Sequence, residues 1–122
     1  MTGGAEADGS ARERLLALRA TTEARLAALG GTFEEVVAAS EDTNADDEHD
    51  PEGATIGFER AQVVALTVSA QRTLDDVDAA LERLADGTYG TCQSCGRPIA
   101  PARLAARPTA TLCVDCAQRA RR

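Results

Sequence analysis

The chain has 122 residues, a formal net charge of −7 and only three aromatic side chains, two Phe and one Tyr. That length suffices for one domain, but so few large rings exclude a thick globular core and favour thin pairs of helices rich in Ala, Leu and Val. The charge is split, with 7 Arg against 19 acids in residues 1–86 and 6 Arg against Asp115 alone in residues 87–122, so the acidic body disfavours general binding to nucleic-acid phosphates and suits a basic protein surface.

Residues 1–9 are Gly-rich and polar and are expected to form a disordered leader, with Ser10 as the N-cap of a first helix. They contain neither a basic segment nor an apolar core of a signal peptide. No apolar run approaches membrane-spanning length, so a cytoplasmic protein is expected. From Ser10 to about Ser40, Leu15, Leu18, Thr22, Leu26, Leu29, Phe33 and Val36 recur at steps of three and four, the period of a coiled-coil seam. Gly30-Gly31 interrupts this pattern, and each glycine costs roughly 1 kcal/mol relative to Ala inside a helix. One kinked helix and two shorter helices are both compatible with that interruption.

Residues 41–54 form an acidic connector in which Asp47, Asp50 and Glu52 stand close together. Asp42-Thr43-Asn44-Ala45-Asp46 opens like a calcium-binding loop, but Asp47 occupies the sixth position, where Gly is needed, and Gly53 the twelfth, where a bidentate Glu is needed. His49, the one histidine, stands among carboxylates without a partner set for catalysis. Asp50-Pro51-Glu52 then supplies a cap, a first-turn proline and a dipole-compatible acid, with Gly53 able to delay regular helix to Thr55. The second helix is expected to run to about Ala85 with a seam of Val63, Leu66, Ala70, Leu74, Val77, Leu81 and Leu84, and Gly87 is placed to end it. Equal helix lengths and a connector of about a dozen residues favour an antiparallel hairpin within one chain. Pairing of the two seams between chains is the alternative.

Cys92-Gln93-Ser94-Cys95 and Cys113-Val114-Asp115-Cys116 contain all four cysteines. Two residues between thiolates let one tight turn aim both sulfurs at a single ion, and two such knuckles complete a tetrahedral shell. In a reducing compartment paired cysteines serve as metal ligands more often than as disulfides. A structural Zn2+ held by Cys92, Cys95, Cys113 and Cys116 is therefore expected, with no open coordination position and no catalysis. Between the knuckles, Gly96 to Pro101 should form turns or a short ribbon, Arg103 to Arg107 one helical turn, and Val114 to Arg121 a terminal helix. Arg97, Arg103, Arg107 and Arg119 lack interleaved aromatics and the acidic rest of the chain would repel phosphate, so direct specific DNA binding is not expected.

Tyr89-Gly90-Thr91-Cys92-Gln93-Ser94-Cys95-Gly96, then Ile99, Arg103-Leu104, Ala106-Arg107-Pro108 and Leu112-Cys113-Val114-Asp115-Cys116 resemble the four-cysteine finger of the bacterial DksA/TraR family. The resemblance implies a mainly α fold: a coiled-coil hairpin over residues 10–86 with an acidic tip at about 41–54, then a zinc finger with a C-terminal helix over 87–122. It further implies a regulator that binds RNA polymerase, inserts the tip into the secondary channel and modulates transcription initiation; the hairpin within one chain makes a monomer the expectation. Asp47, Asp50 and Glu52 would face the polymerase active site, and Arg97, Arg103 and Arg107 would dock the finger. The family tip is typically Asp-x-x-Asp-x-Ala, which neither Asp47 to Glu52 nor Asp50 to Thr55 fits completely. Where the best-known members carry basic residues for guanosine tetraphosphate, this chain has Leu74-Asp75-Asp76-Val77-Asp78, which does not support dependence on that alarmone. The rival from another class is a zinc-finger structural or oligomerisation module with intermolecular coiled-coil pairing.

Overall fold

The computed structural model describes residues 2–44 and 51–121, with side chains described at 8–35, 37–39 and 54–121. Four helices follow in order: α1 (Thr2–Asn44), α2 (Pro51–Asp86), α3 (Pro101–Ala106) and α4 (Val114–Ala120). The chain divides into two compact units, one of Met1–Ala20 with Asp75–Arg122 and the other Thr21–Leu74.

Several boundaries differ from expectation. α1 begins at Thr2, so the helix takes in residues 2–9 of the expected 1–9 leader and Ser10 is an interior helical residue. Ala5-Glu6-Ala7 are good helix formers, and extending an existing helix avoids the cost of nucleation, which offsets the glycines. α1 also passes Gly30-Gly31 without a break. The expected connector at 41–54 gives up Glu41–Asn44 to α1 and Pro51–Ala54 to α2, the latter because Pro51 is preorganised for a first turn. The rest of it, 45–50, lies outside the described residues.

In the unit of Met1–Ala20 and Asp75–Arg122, α1 packs on α2: Leu15 contacts Val77 and Ala80, and Arg19 reaches Asp78 at 3.6 Å. Leu18, Leu81, Leu84 and Tyr89 close around that cluster. Fully burying a side chain such as Leu15 or Val77 contributes about 1.5–3 kcal/mol, whereas the exposed Arg19–Asp78 pair contributes little. α2 ends in a Schellman motif: Gly87 has φ +79°, its N–H donates to Leu84 O at 3.3 Å, and Thr88 N–H donates to Arg83 O at 2.9 Å. Five residues later the chain reaches Cys92.

In Thr21–Leu74 the expected seam is largely realised. Thr22, Val63 and Ala70 are buried, and Leu26, Leu29, Phe33 and Leu74 are half-buried. Leu66 is the exception, at 47% exposure; Thr67 takes its place. At about 100° per residue, a residue four on from Val63 lies about 40° from its direction and one three on about 60° away. Thr67 can occupy the seam because its hydroxyl donates to Val63 O at 2.8 Å within the same helix.

Candidate metal centre

The first knuckle is a closed backbone loop. Cys92 N–H donates to Arg97 O at 2.8 Å and Gly96 N–H to Cys92 O at 3.0 Å, with Gly96 at φ +76°, where a side chain would be strained. Thr91 and Pro98 form an antiparallel bridge, and Ile99 N–H donates to Gly90 O at 2.7 Å. The second knuckle opens α4: Cys113 is its N-cap, and one turn later Cys116 is turned back into the same cluster. Asp115 in the first turn and Arg119 in the last match the helix dipole. Gln93 N–H donates to Thr111 O at 2.8 Å, tying one knuckle to the other.

The Sγ atoms of Cys92, Cys95, Cys113 and Cys116 all lie within 4.8 Å of one another. Metal–sulfur bonds of about 2.3 Å in a tetrahedron require sulfurs about 3.8 Å apart, and Cys95 Sγ and Cys113 Sγ stand at 3.8 Å. The cluster can therefore hold one tetrahedral metal ion, and four thiolates leave it no open position for water or substrate. Cys92 and Cys116 are buried with Ile99, Cys113 is half-buried and Cys95 is exposed. Backbone N–H groups of Cys95, then Cys113 and Ser94, favour the Cys92 thiolate and hold its pKa down to about 6 despite burial. Cys116 is pushed up to about 12, chiefly by its hydrogen bond with Cys113 and secondarily by burial and by Cys92 and Cys95, against a hydrogen bond with the Ser94 side chain. Before metal binding, then, the cluster favours the thiolate at Cys92 and the thiol at Cys116.

The model of the prokaryotic dksA/traR C4-type zinc finger matches residues 87–122. The solved structure of transcription factor DksA2 from Pseudomonas aeruginosa is similar over 95% of this chain and 84% of that one, with 32% identity and a TM-score of 0.78. The chain belongs to the DksA/TraR family. Two members carrying the name RNA polymerase-binding transcription factor DksA show the same local likeness. The one from Caulobacter vibrioides is 47% identical over 49 residues, which is 40% of this chain and 34% of that protein. The one from Escherichia coli K12 is 41% identical over 46 residues, 38% of this chain and 30% of that protein. Such matches span about a third of the length of the curated relatives.

Within this DksA/TraR finger the three candidate docking arginines have different surroundings. Arg97 is exposed and, with Arg119, lines a cleft of about 280 Å³ beside Cys95, Cys113 and Cys116. Arg107 is exposed at the C-cap of α3. Arg103 is half-buried and its Nε donates to Leu112 O at 2.8 Å, so it braces the second knuckle from inside. α3 starts at Pro101, earlier than the expected turn at Arg103, because proline fits its first position. Glu52 falls in the first turn of α2, and Asp47 and Asp50, like His49, lie outside the described residues. Tyr89 is a structural residue that spacing alone did not single out: its ring packs on the Leu15 cluster and its hydroxyl donates to Pro108 O at 2.7 Å. A lone Tyr just before the first knuckle was the available signal.

Proposed function

We propose that this chain is a non-enzymatic, cytoplasmic transcription regulator that binds RNA polymerase. Residues 10–86 act as a coiled-coil hairpin whose acidic end, with Asp47, Asp50 and Glu52, enters the secondary channel and alters initiation. The observation that carries this assignment is the likeness to transcription factor DksA2 across 95% of the chain, which includes the helices as well as the finger. In support, Leu15 of α1 packs with Val77 and Ala80 of α2 inside one chain, which favours a monomer over an intermolecular bundle. The ion in the four-cysteine cluster is zinc: an all-thiolate tetrahedral site with sulfurs at 3.8 Å matches its preference. Its part is to hold the finger folded, while exposed Arg97 and Arg107 contact the polymerase rim. Guanosine tetraphosphate is not required, since Asp75, Asp76 and Asp78 stand where basic residues would be needed.

Purified zinc-loaded protein should bind core RNA polymerase at low salt and change initiation in a reconstituted transcription assay. Asp50→Asn and Asp47→Asn should keep binding and lose most of the effect on initiation. Absence of binding would refute the assignment; binding with an undiminished effect in both variants would remove the acids from it.

A further inference from the structure

The four-cysteine centre has an open side. Cys95, Cys113 and Cys116 border a cleft of about 280 Å³ that Arg97, Arg119 and Asp115 also line. Cys95 is exposed and Cys113 half-buried, whereas Cys92 is buried and does not border the cleft. The chain brings one arginine there from each knuckle. Arg97 carries the carbonyl that accepts the Cys92 N–H at 2.8 Å, so it belongs to the turn that closes the first knuckle. Arg119 lies three residues after Cys116 on α4, the spacing at which helical side chains are neighbours. Both are exposed, and among the described residues neither forms an ion pair with Asp115 or with any other acid. The other arginines of the finger stand elsewhere: Arg103 is turned inward onto Leu112 O, Arg107 caps α3 and Arg121 caps α4.

We infer that Arg97 and Arg119 are charge-compensating residues of the metal centre, which tighten metal retention by offsetting the negative charge of the thiolates. This rests on the zinc assignment above and concerns how this chain keeps its ion. A divalent ion with four thiolates leaves two negative charges on the centre, and that charge belongs in any electrostatic account of the site. Loading releases thiol protons, so it makes the site more negative and is favoured by nearby cations. Two guanidiniums match the charge of the loaded centre, and Asp115 adds one negative charge back. The loaded cleft is therefore net negative, which disfavours a bound anion as the reason for two arginines there. Because both guanidiniums stand in water, their attraction for the centre is long-range, modest for each residue and weakened by salt.

The test reads metal in the absence of polymerase, so its outcome is separate from any contact that Arg97 makes there. Full-length protein is loaded with zinc and titrated with a competing chelator at pH 7, in about 0.01 M and about 1 M salt, where charges are screened over about 30 Å and about 3 Å. Arg97→Gln/Arg119→Gln should hold zinc about fivefold more weakly than wild type at low salt and within about twofold of it at high salt, with stoichiometry and circular dichroism unchanged. Arg97→Lys/Arg119→Lys should keep wild-type affinity, since the charge and not the planar fork is used. Asp115→Asn should hold zinc about twofold more tightly at low salt, and Arg121→Gln, outside the cleft, should match wild type. Wild-type affinity of the double Gln variant at low salt overturns the inference. So does a loss that is equal at both salt concentrations, or one that the Lys pair fails to rescue, because either means that the arginines shape the finger rather than balance its charge. Failure of the wild type to take up one equivalent of zinc would instead bring down the zinc assignment, and this role with it.

Discussion

Removing one oxygen atom at Tyr89 tests how the helix pair is fastened to the finger. The phenol donates to Pro108 O at 2.7 Å, while the half-buried ring packs on Leu15, Val77 and Ala80. Tyr89→Phe keeps the ring and deletes the bond, which should cost about 1 kcal/mol. Tyr89→Ala also loses the ring; a fully buried Phe→Ala costs about 3–5 kcal/mol, so a half-buried ring should cost about 2–3 kcal/mol. The assay is urea unfolding at saturating zinc, following the single tyrosine and the helical signal together. The bond also carries a pH signature. Burial raises the Tyr89 pKa above its ordinary 10, with the Arg14 and then the Arg83 charge pulling it back. Stability from the neutral phenol is therefore fully present below pH 10 and is lost as pH rises through the folded-state value. The wild-type advantage over Tyr89→Phe should be constant from pH 6 to 9 and shrink above 10, and Arg14→Met should push the tyrosine titration higher still. Equal stability of wild type and Tyr89→Phe at pH 7, or a gap that persists unchanged at pH 11, would refute the reasoning.

Three further outcomes follow from the same geometry. Cys95→Ser should abolish stoichiometric zinc in a metal assay, because three thiolates cannot close the shell, and should unfold the finger while leaving most of the helical signal. Gly87→Ala, at φ +79°, should cost about 1–2 kcal/mol in urea unfolding, whereas Gly30→Ala, in a continuous helix with open space around it, should gain about 0.5–1 kcal/mol. Zinc affinity measured by chelator competition should rise between pH 7 and 9 by at least about tenfold per unit, since the Cys116 proton must leave. Below pH 6 it should fall more steeply, as Cys92 also begins to hold its proton.

The metal cluster was legible in the chain because Cys-x-x-Cys spacing restricts backbone geometry locally and twice over. The seams were nearly as legible: a period of 3.5 residues identified Leu15, Thr22, Val63, Ala70 and Val77 correctly. It failed at Leu66, where residue type outvoted angular position and Thr67 hid its polarity in an internal hydrogen bond. Buried Ala11 and Ala80 were passed over for a similar reason, since alanine gives little hydropathy contrast. Helix ends were read too short at Ser10 and Ser40 because a Gly-rich, polar leader and an acidic stretch were expected to lie outside the helix, whereas extending a formed helix carries no nucleation cost. The role of Arg103 was hidden for a different reason, since its acceptor, Leu112 O, is a backbone atom nine residues away.

The seam of Thr21–Leu74 has a consequence for motion. Among the described residues, the largest fully buried side chains, Leu15, Val77 and Cys92, all belong to the other unit, and here the buried positions are Thr22, Val63 and Ala70. Small side chains forfeit less when solvent enters, so local opening in this unit costs less free energy than opening around Leu15. Amide hydrogens of 55–72 should exchange before those of 76–84 although both stretches lie in one unbroken helix. Thr32, Thr67 and Thr73 hydrogen-bond within their own helices, at 3.1, 2.8 and 3.2 Å. None of those three bonds needs to break when the helices part.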